Sequence, residues 1–174
     1  MNAKTARHDF RFLAKDEHQT ERLGAMLARA LPDGTTVALI GTLGAGKTRL
    51  VRAVARACGV APDAVVSPTF VLCQEYCGRR TIYHLDAYRL RDEDEFLELG
   101  PEEYFESCGI TLVEWADRVL DCLPPDRIEI RIEVVGETAR AFTVTARGER
   151  LATVPETLKA YIGDDQNAQE PGER

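Results

Sequence analysis

The sequence predicts an α/β fold, one domain in which helices flank a mixed parallel and antiparallel central sheet. Three observations carry this. Gly41-Thr42-Leu43-Gly44-Ala45-Gly46-Lys47-Thr48 satisfies Gly-x-x-x-x-Gly-Lys-Ser/Thr, a phosphate-binding loop. The loop follows a short apolar run at 37–40 and precedes Leu50, Val51, Val54 and Ala57 at helical spacing, the strand–loop–helix order this chemistry needs. Two pairs of β-prone segments are joined by turn residues and read as hairpins, which bring antiparallel strands into the sheet. The fold expected is therefore that of a P-loop NTPase, over residues 1–162, with a disordered polar tail at 163–174.

The loop has a definite physical task. Its glycines let backbone N–H groups turn inward around a polyphosphate. The helix start adds unpaired N–H groups and a partial positive charge. Lys47 is expected to reach the β- and γ-phosphates and the Thr48 hydroxyl to ligate Mg²⁺. A plain turn before an ordinary helix would need neither Lys47 nor Thr48.

Composition narrows the class. The 174 residues are 44% hydrophobic and 29% charged, ordinary for one soluble globular domain. No apolar run approaches the ~20 residues that span a bilayer, so no membrane is expected. The first nine residues are polar and lack the apolar core of a secretory signal. Five cysteines, an odd number without such a signal, fit reduced thiols in the cytoplasm. A formal net charge of −7 argues against autonomous RNA binding, which needs a basic face.

The remaining elements follow in chain order. The alternation in 10–13 predicts an edge strand. Asp16 or Thr20 caps a helix whose apolar stripe is Leu23, Met26, Leu27, Ala30 and Leu31. Pro32-Asp33-Gly34 ends it. Gly59 caps the helix after the phosphate loop. Ser67-Pro68-Thr69-Phe70 is a stiff extended corner, because proline fixes its own φ and restricts Ser67; its hydroxyls suit a segment that senses a γ-phosphate. Residues 70–76 and 81–85 form the first hairpin. The acidic run from Arg91 to Glu95 starts a helix with Phe96, Leu97 and Leu99 as its apolar face. A second helical turn begins after Gly100-Pro101. Residues 110–114 form an apolar strand, 128–135 and 141–146 a second hairpin, and 155–162 a short final helix.

A phosphate cradle needs a carboxylate to hold Mg²⁺ opposite Thr48, commonly at the end of an apolar strand. Glu114 closes the cleaner strand and is assigned to the metal, directly or through water. Asp86 closes the other candidate and becomes either an outer ligand or the group that orients the attacking water. His84 is expected to be a hydrogen-bonded packing residue.

Four motifs in order then identify a resemblance. Gly-x-Leu-Gly-Ala-Gly-Lys-Thr, Ser-Pro-Thr-Phe, His-x-Asp-x-Tyr-Arg-Leu and Glu-Trp, in a short chain, resemble the TsaE (YjeE) ATPase family over about residues 16–147. The resemblance implies a mixed-sheet P-loop fold, ATP with Mg²⁺, and a role in threonylcarbamoyladenosine modification of tRNA beside a TsaB–TsaD pair. It places ATP on Gly41, Leu43, Gly44, Ala45, Gly46, Lys47 and Thr48, with Glu17, Ala139 and Arg140 beside the nucleotide. It gives Mg²⁺ to Thr48 and Glu114, and catalytic work to Lys47, Asp86 and Glu114. Two positions depart from the family: Thr42 stands where Asp is frequent, and Ala116-Asp117-Arg118 follows Glu-Trp where Pro-Glu is common.

The expected function is thus a cytoplasmic Mg²⁺-dependent ATPase, able to exist as a monomer, that meets tRNA only through its protein partners. A small P-loop kinase is one alternative; it would need an acceptor pocket and lid arginines, for which Arg89 and Arg91 are placed. A guanine-reading switch would carry Asn-Lys-x-Asp, which this chain lacks. A non-hydrolytic, nucleotide-gated scaffold is another, separated from an ATPase by comparing ADP with a non-hydrolysable ATP analogue in complex assembly.

Overall fold

A computed structural model of the chain describes residues 9–62, 64–65 and 72–167. The corner at 67–70 lies outside these residues. Seven strands, β1 (Asp9–Ala14), β2 (Thr36–Ile40), β3 (Cys73–Tyr76), β4 (Ile82–Asp86), β5 (Ile110–Glu114), β6 (Arg127–Val134) and β7 (Arg140–Arg147), form one sheet in the order β1-β7-β6-β2-β5-β4-β3. The helices are α1 (Glu17–Ala30), α2 (Lys47–Ala57), α3 (Glu93–Leu97), α4 (Glu102–Phe105) and α5 (Val154–Asn167).

The sheet is mixed, as the two hairpins require. Strands β6, β2, β5 and β4 are parallel, while β3 joins β4 and β7 joins β6 in antiparallel register, with β1 on the outer edge of β7. The central position of β2 explains its apolar run: all five of its residues are buried, Val37 and Leu39 on one face and Ala38 and Ile40 on the other. β6 alternates instead, burying Ile128, Ile130 and Ile132 on a single face.

Helices α1, α2 and α5 cover one face of the sheet. Phe96 of α3, Leu90 and the turns at 116–123 cover the other. Asp16 caps α1 by accepting from the Gln19 N–H at 2.8 Å, and the stripe from Leu23 to Leu31 points inward as predicted. One expected boundary is corrected: α5 does not stop at Ile162 but continues through Asn167 into the stretch assigned to the tail. No proline lies between Ile162 and Asn167, and a glycine inside a helix, here Gly163, costs only about 1 kcal/mol.

The α1–α2 contact depends on Gly24. A Cβ there would collide with Ala53 Cβ and lie 2.8 Å from the Ala53 carbonyl carbon. Backbone cannot move aside as a side-chain tip can, so the helices would separate and lift α2 from the sheet. Gly24→Ala should lose about 1–3 kcal/mol of stability despite alanine's better helix propensity, read as a lower urea midpoint. Undiminished stability would show that the two helices slide freely.

The register also fixes where chemistry can occur. Leu39 of β2 and Asp86 of β4 both pair with Glu114 of β5, so three parallel strands end level. Open α/β sheets bind ligands beyond this carboxyl edge, and the loop after β2 emerges there.

Candidate functional site

The chain turns from β2 into α2 through residues 41–46. Gly44 and Gly46 have φ of +76° and +102°, left-handed values that side-chain-bearing residues avoid, and the space where a Cβ would stand is open at both. The loop thereby leaves a bare cradle beneath the start of the 11-residue α2, whose first N–H groups have no helical partner.

Lys47 enters this cradle from the first position of α2. It is only 4% exposed, and its Nζ donates to the Gly41 and Thr42 carbonyls at 2.7 and 3.0 Å. The ammonium also lies 3.6 Å from the centre of the Trp115 ring. Burial pushes its pKa down, against the opposing pull of Glu114, Asp117 and Asp86. The result is a cation in a dry place held by neutral carbonyl oxygens, a charge for which an anion is the better partner.

Thr48, one position on, donates from Oγ1 to Glu114 Oε2 at 3.0 Å. Glu114 ends β5 and is 3% exposed, the only buried carboxylate among the described residues. Its other oxygen, Oε1, lies 2.8 Å from Nε2 of the fully buried His84. Asp86 lies beside Glu114 in register and lines the cavity, accepting the Tyr88 N–H at 2.9 Å. Desolvation raises the Asp86 pKa, the Tyr88 hydrogen bond opposes this, and the Glu114 charge adds to it.

These groups line a cavity of about 470 Å³ over the loop. Glu17 and Arg49 form an ion pair at its outer wall, and Thr20 and Arg52 complete that side. Leu43 is 77% exposed at the loop tip. Arg140 reaches across from β7: its Nε donates to the Ala45 carbonyl at 3.1 Å and its Nη2 to the Gly44 carbonyl at 3.4 Å. Nη1 donates to the carbonyls of Gly136, Glu137 and Ala139. Arg140 is therefore a strut under the phosphate loop, and Ala139 joins the site through its carbonyl.

The structure thus brings Glu17, residues 43–48 of the loop, Asp86, Glu114 and Arg140 around one cavity, while Gly41 meets it only through its carbonyl on Lys47. Sequence reasoning did not find the Trp115 ring over Lys47, the Tyr88 ring packed on Trp115 at 4.8 Å, or Arg140 as a strut. Trp115 alone among the described non-glycine residues has a positive φ, 56°, and this turn aims its ring back at α2. A residue type so ill suited to that conformation leaves no local trace of it in sequence.

The chain is similar to known proteins over most of its length. A family model described as "Threonylcarbamoyl adenosine biosynthesis protein TsaE" matches residues 14–142. A tRNA threonylcarbamoyladenosine biosynthesis protein TsaE of Treponema pallidum is 36% identical over 134 residues, covering 77% of this chain and 98% of that protein. The protein of the same name from Streptomyces coelicolor is 40% identical over 148 residues, 79% of this chain and 97% of that one. The crystal structure of Bacillus subtilis YdiB superposes with a TM-score of 0.74 at 30% identity, covering 88% of this chain and 96% of that chain.

Proposed function

Since the chain belongs to the TsaE family and has the P-loop fold, we propose that it is a Mg²⁺-dependent ATPase acting in threonylcarbamoyladenosine modification of tRNA. The observation that carries the reading is the buried Glu114 carboxylate bonded to Thr48 in the first turn of α2, beside a buried Lys47. A carboxylate and a hydroxyl with oxygens 3.0 Å apart suit a hard cation that keeps several waters. Held there by Thr48 and Glu114, Mg²⁺ would supply positive charge to offset that of the phosphates.

The chain's own groups divide the remaining work. Backbone N–H groups at 44–48 hold the phosphates, and Lys47 exchanges its carbonyl partners for phosphate oxygens. Glu114 and Thr48 hold the metal. Asp86 faces the same cavity and orients the attacking water. Arg140, bound to five carbonyls, keeps the loop in shape and is not free to neutralise the γ-phosphoryl group. Arg91, which a kinase would use in a lid, is held by Glu95 at 2.6 Å.

Arg49 and Arg52 of the cavity wall are engaged by Glu17 and the Val65 carbonyl; an arginine that neutralises the transferring group is worth about 10³–10⁵ in rate, and this argues for activation from outside. A TsaB–TsaD pair in the cytoplasm is the partner we assign, with tRNA held by that pair rather than by this acidic chain. The test is steady-state phosphate release by the purified protein, alone and with the pair, with and without tRNA. Slow turnover alone and stimulation by the pair are expected. Fast turnover alone, or none gained where binding is independently demonstrated, would reject the partner assignment.

A further inference from the structure

His84 lies one turn of the pleat below Asp86 on β4, fully buried and not part of the cavity lining. Its Nε2 meets Glu114 Oε1 at 2.8 Å, whereas its Nδ1 has no hydrogen-bond partner among the described residues. The carboxylate contact places the proton on Nε2. With the proton on Nδ1 alone, a bare Nε2 lone pair would face the carboxylate, and the N–H would be buried without an acceptor. The imidazole therefore donates to Glu114.

We propose that His84 is a positioning residue for the metal carboxylate, an inference that rests on the reading of Glu114 as a metal ligand. A glutamate has a loosely held terminal torsion, and either oxygen can face the site. With Oε1 tied to His84, Oε2 alone is presented to Thr48, where the hydroxyl oxygen stands 3.0 Å away. The strand register makes this possible: His84 pairs with Leu112 and Asp86 with Glu114, so His84 and Asp86 share a face and the imidazole supports Glu114 from beneath. Partners that hold a metal ligand from behind carry about 10–100-fold in metal affinity.

Gln places an amide nitrogen near the position of Nε2, whereas Asn places one nearer Nδ1, so the two variants separate a donated hydrogen bond from mere polarity. The experiment measures ATP affinity by calorimetry across a Mg²⁺ series, and without Mg²⁺, for wild type, His84→Gln, His84→Asn and His84→Leu. Melting temperatures establish which variants fold. His84→Asn and His84→Leu should need at least about 10-fold more Mg²⁺ for half-maximal tightening of ATP binding, with metal-free affinity unchanged. His84→Gln should recover most of the wild-type Mg²⁺ response. If His84→Leu fails to fold, the Gln and Asn pair decides. Equal Mg²⁺ responses in Gln and Asn, or a loss of metal-free affinity alone, would overturn the positioning role while leaving the ATPase reading intact. A wild-type protein whose ATP binding ignores Mg²⁺ would instead remove the reading of Glu114 on which this inference stands.

Discussion

Lys47→Ala is expected to lower ATP turnover by at least about 100-fold, the scale on which one buried charge-stabilising donor acts. The fold should survive. Lys47 is buried at a cost, since desolvation is the largest influence on it and favours the uncharged form. Its pKa is lowered on folding, so the penalty is fully present at neutral pH and disappears as pH rises past its ordinary titration range. Alanine removes that penalty together with the two carbonyl hydrogen bonds and the Trp115 contact. A melting temperature close to wild type, with ATP affinity or turnover gone, is the expected pair of results. Retained hydrolysis would show that the phosphates bind elsewhere.

The two carboxylates at the strand ends should fail differently. Glu114→Gln preserves an acceptor for His84 and a polar partner for Thr48, so the change is one of charge. It should raise the Mg²⁺ needed for activity by at least about 100-fold, beyond what outer partners of a metal ligand carry. Asp86→Asn should instead lower turnover at saturating Mg²⁺ and change Mg²⁺ demand little. It should also stabilise the fold. Asp86 has a raised pKa, so the folded state binds its proton more tightly than the unfolded chain does, and ionising it costs stability as pH climbs through and above the usual carboxylate range. Asparagine escapes that loss, and the melting temperature of the variant should exceed that of wild type near pH 7. The reverse Mg²⁺ pattern would exchange the roles of Glu114 and Asp86.

Much of this site was legible in the sequence because it is built locally. The phosphate loop needs glycines, a lysine and a hydroxyl at fixed offsets, and all occur within eight consecutive positions of the chain. Glu114 was legible as a candidate because it closes an apolar strand in a chain that also carries a phosphate loop. Long-range geometry was not. The bond from His84 to Glu114 depends on how β4 registers with β5, and Arg140 reaches the loop only because β7 folds back beside β6, itself next to β2. The β6–β7 hairpin was legible from its own residues, but nothing local to either residue encodes that β4 lies beside β5 or β6 beside β2. The end of α5 escaped notice for a different reason: Gly163 weakens a helix without stopping it. The corner at 67–70 belongs to the reading of the sequence alone.

On the proposed reading, water accepts the γ-phosphoryl group and Mg²⁺ held by Thr48 and Glu114 is required. The most direct measurement follows ATP labelled in its γ-phosphate, incubated with the purified protein and a TsaB–TsaD pair, with Mg²⁺ present or chelated. Label should appear as inorganic phosphate, should depend on Mg²⁺, and should vanish with Lys47→Ala. Label retained in ATP with Mg²⁺ and the bound pair present would make the protein a non-hydrolytic scaffold, and label transferred to a protein or small-molecule acceptor would make it a kinase.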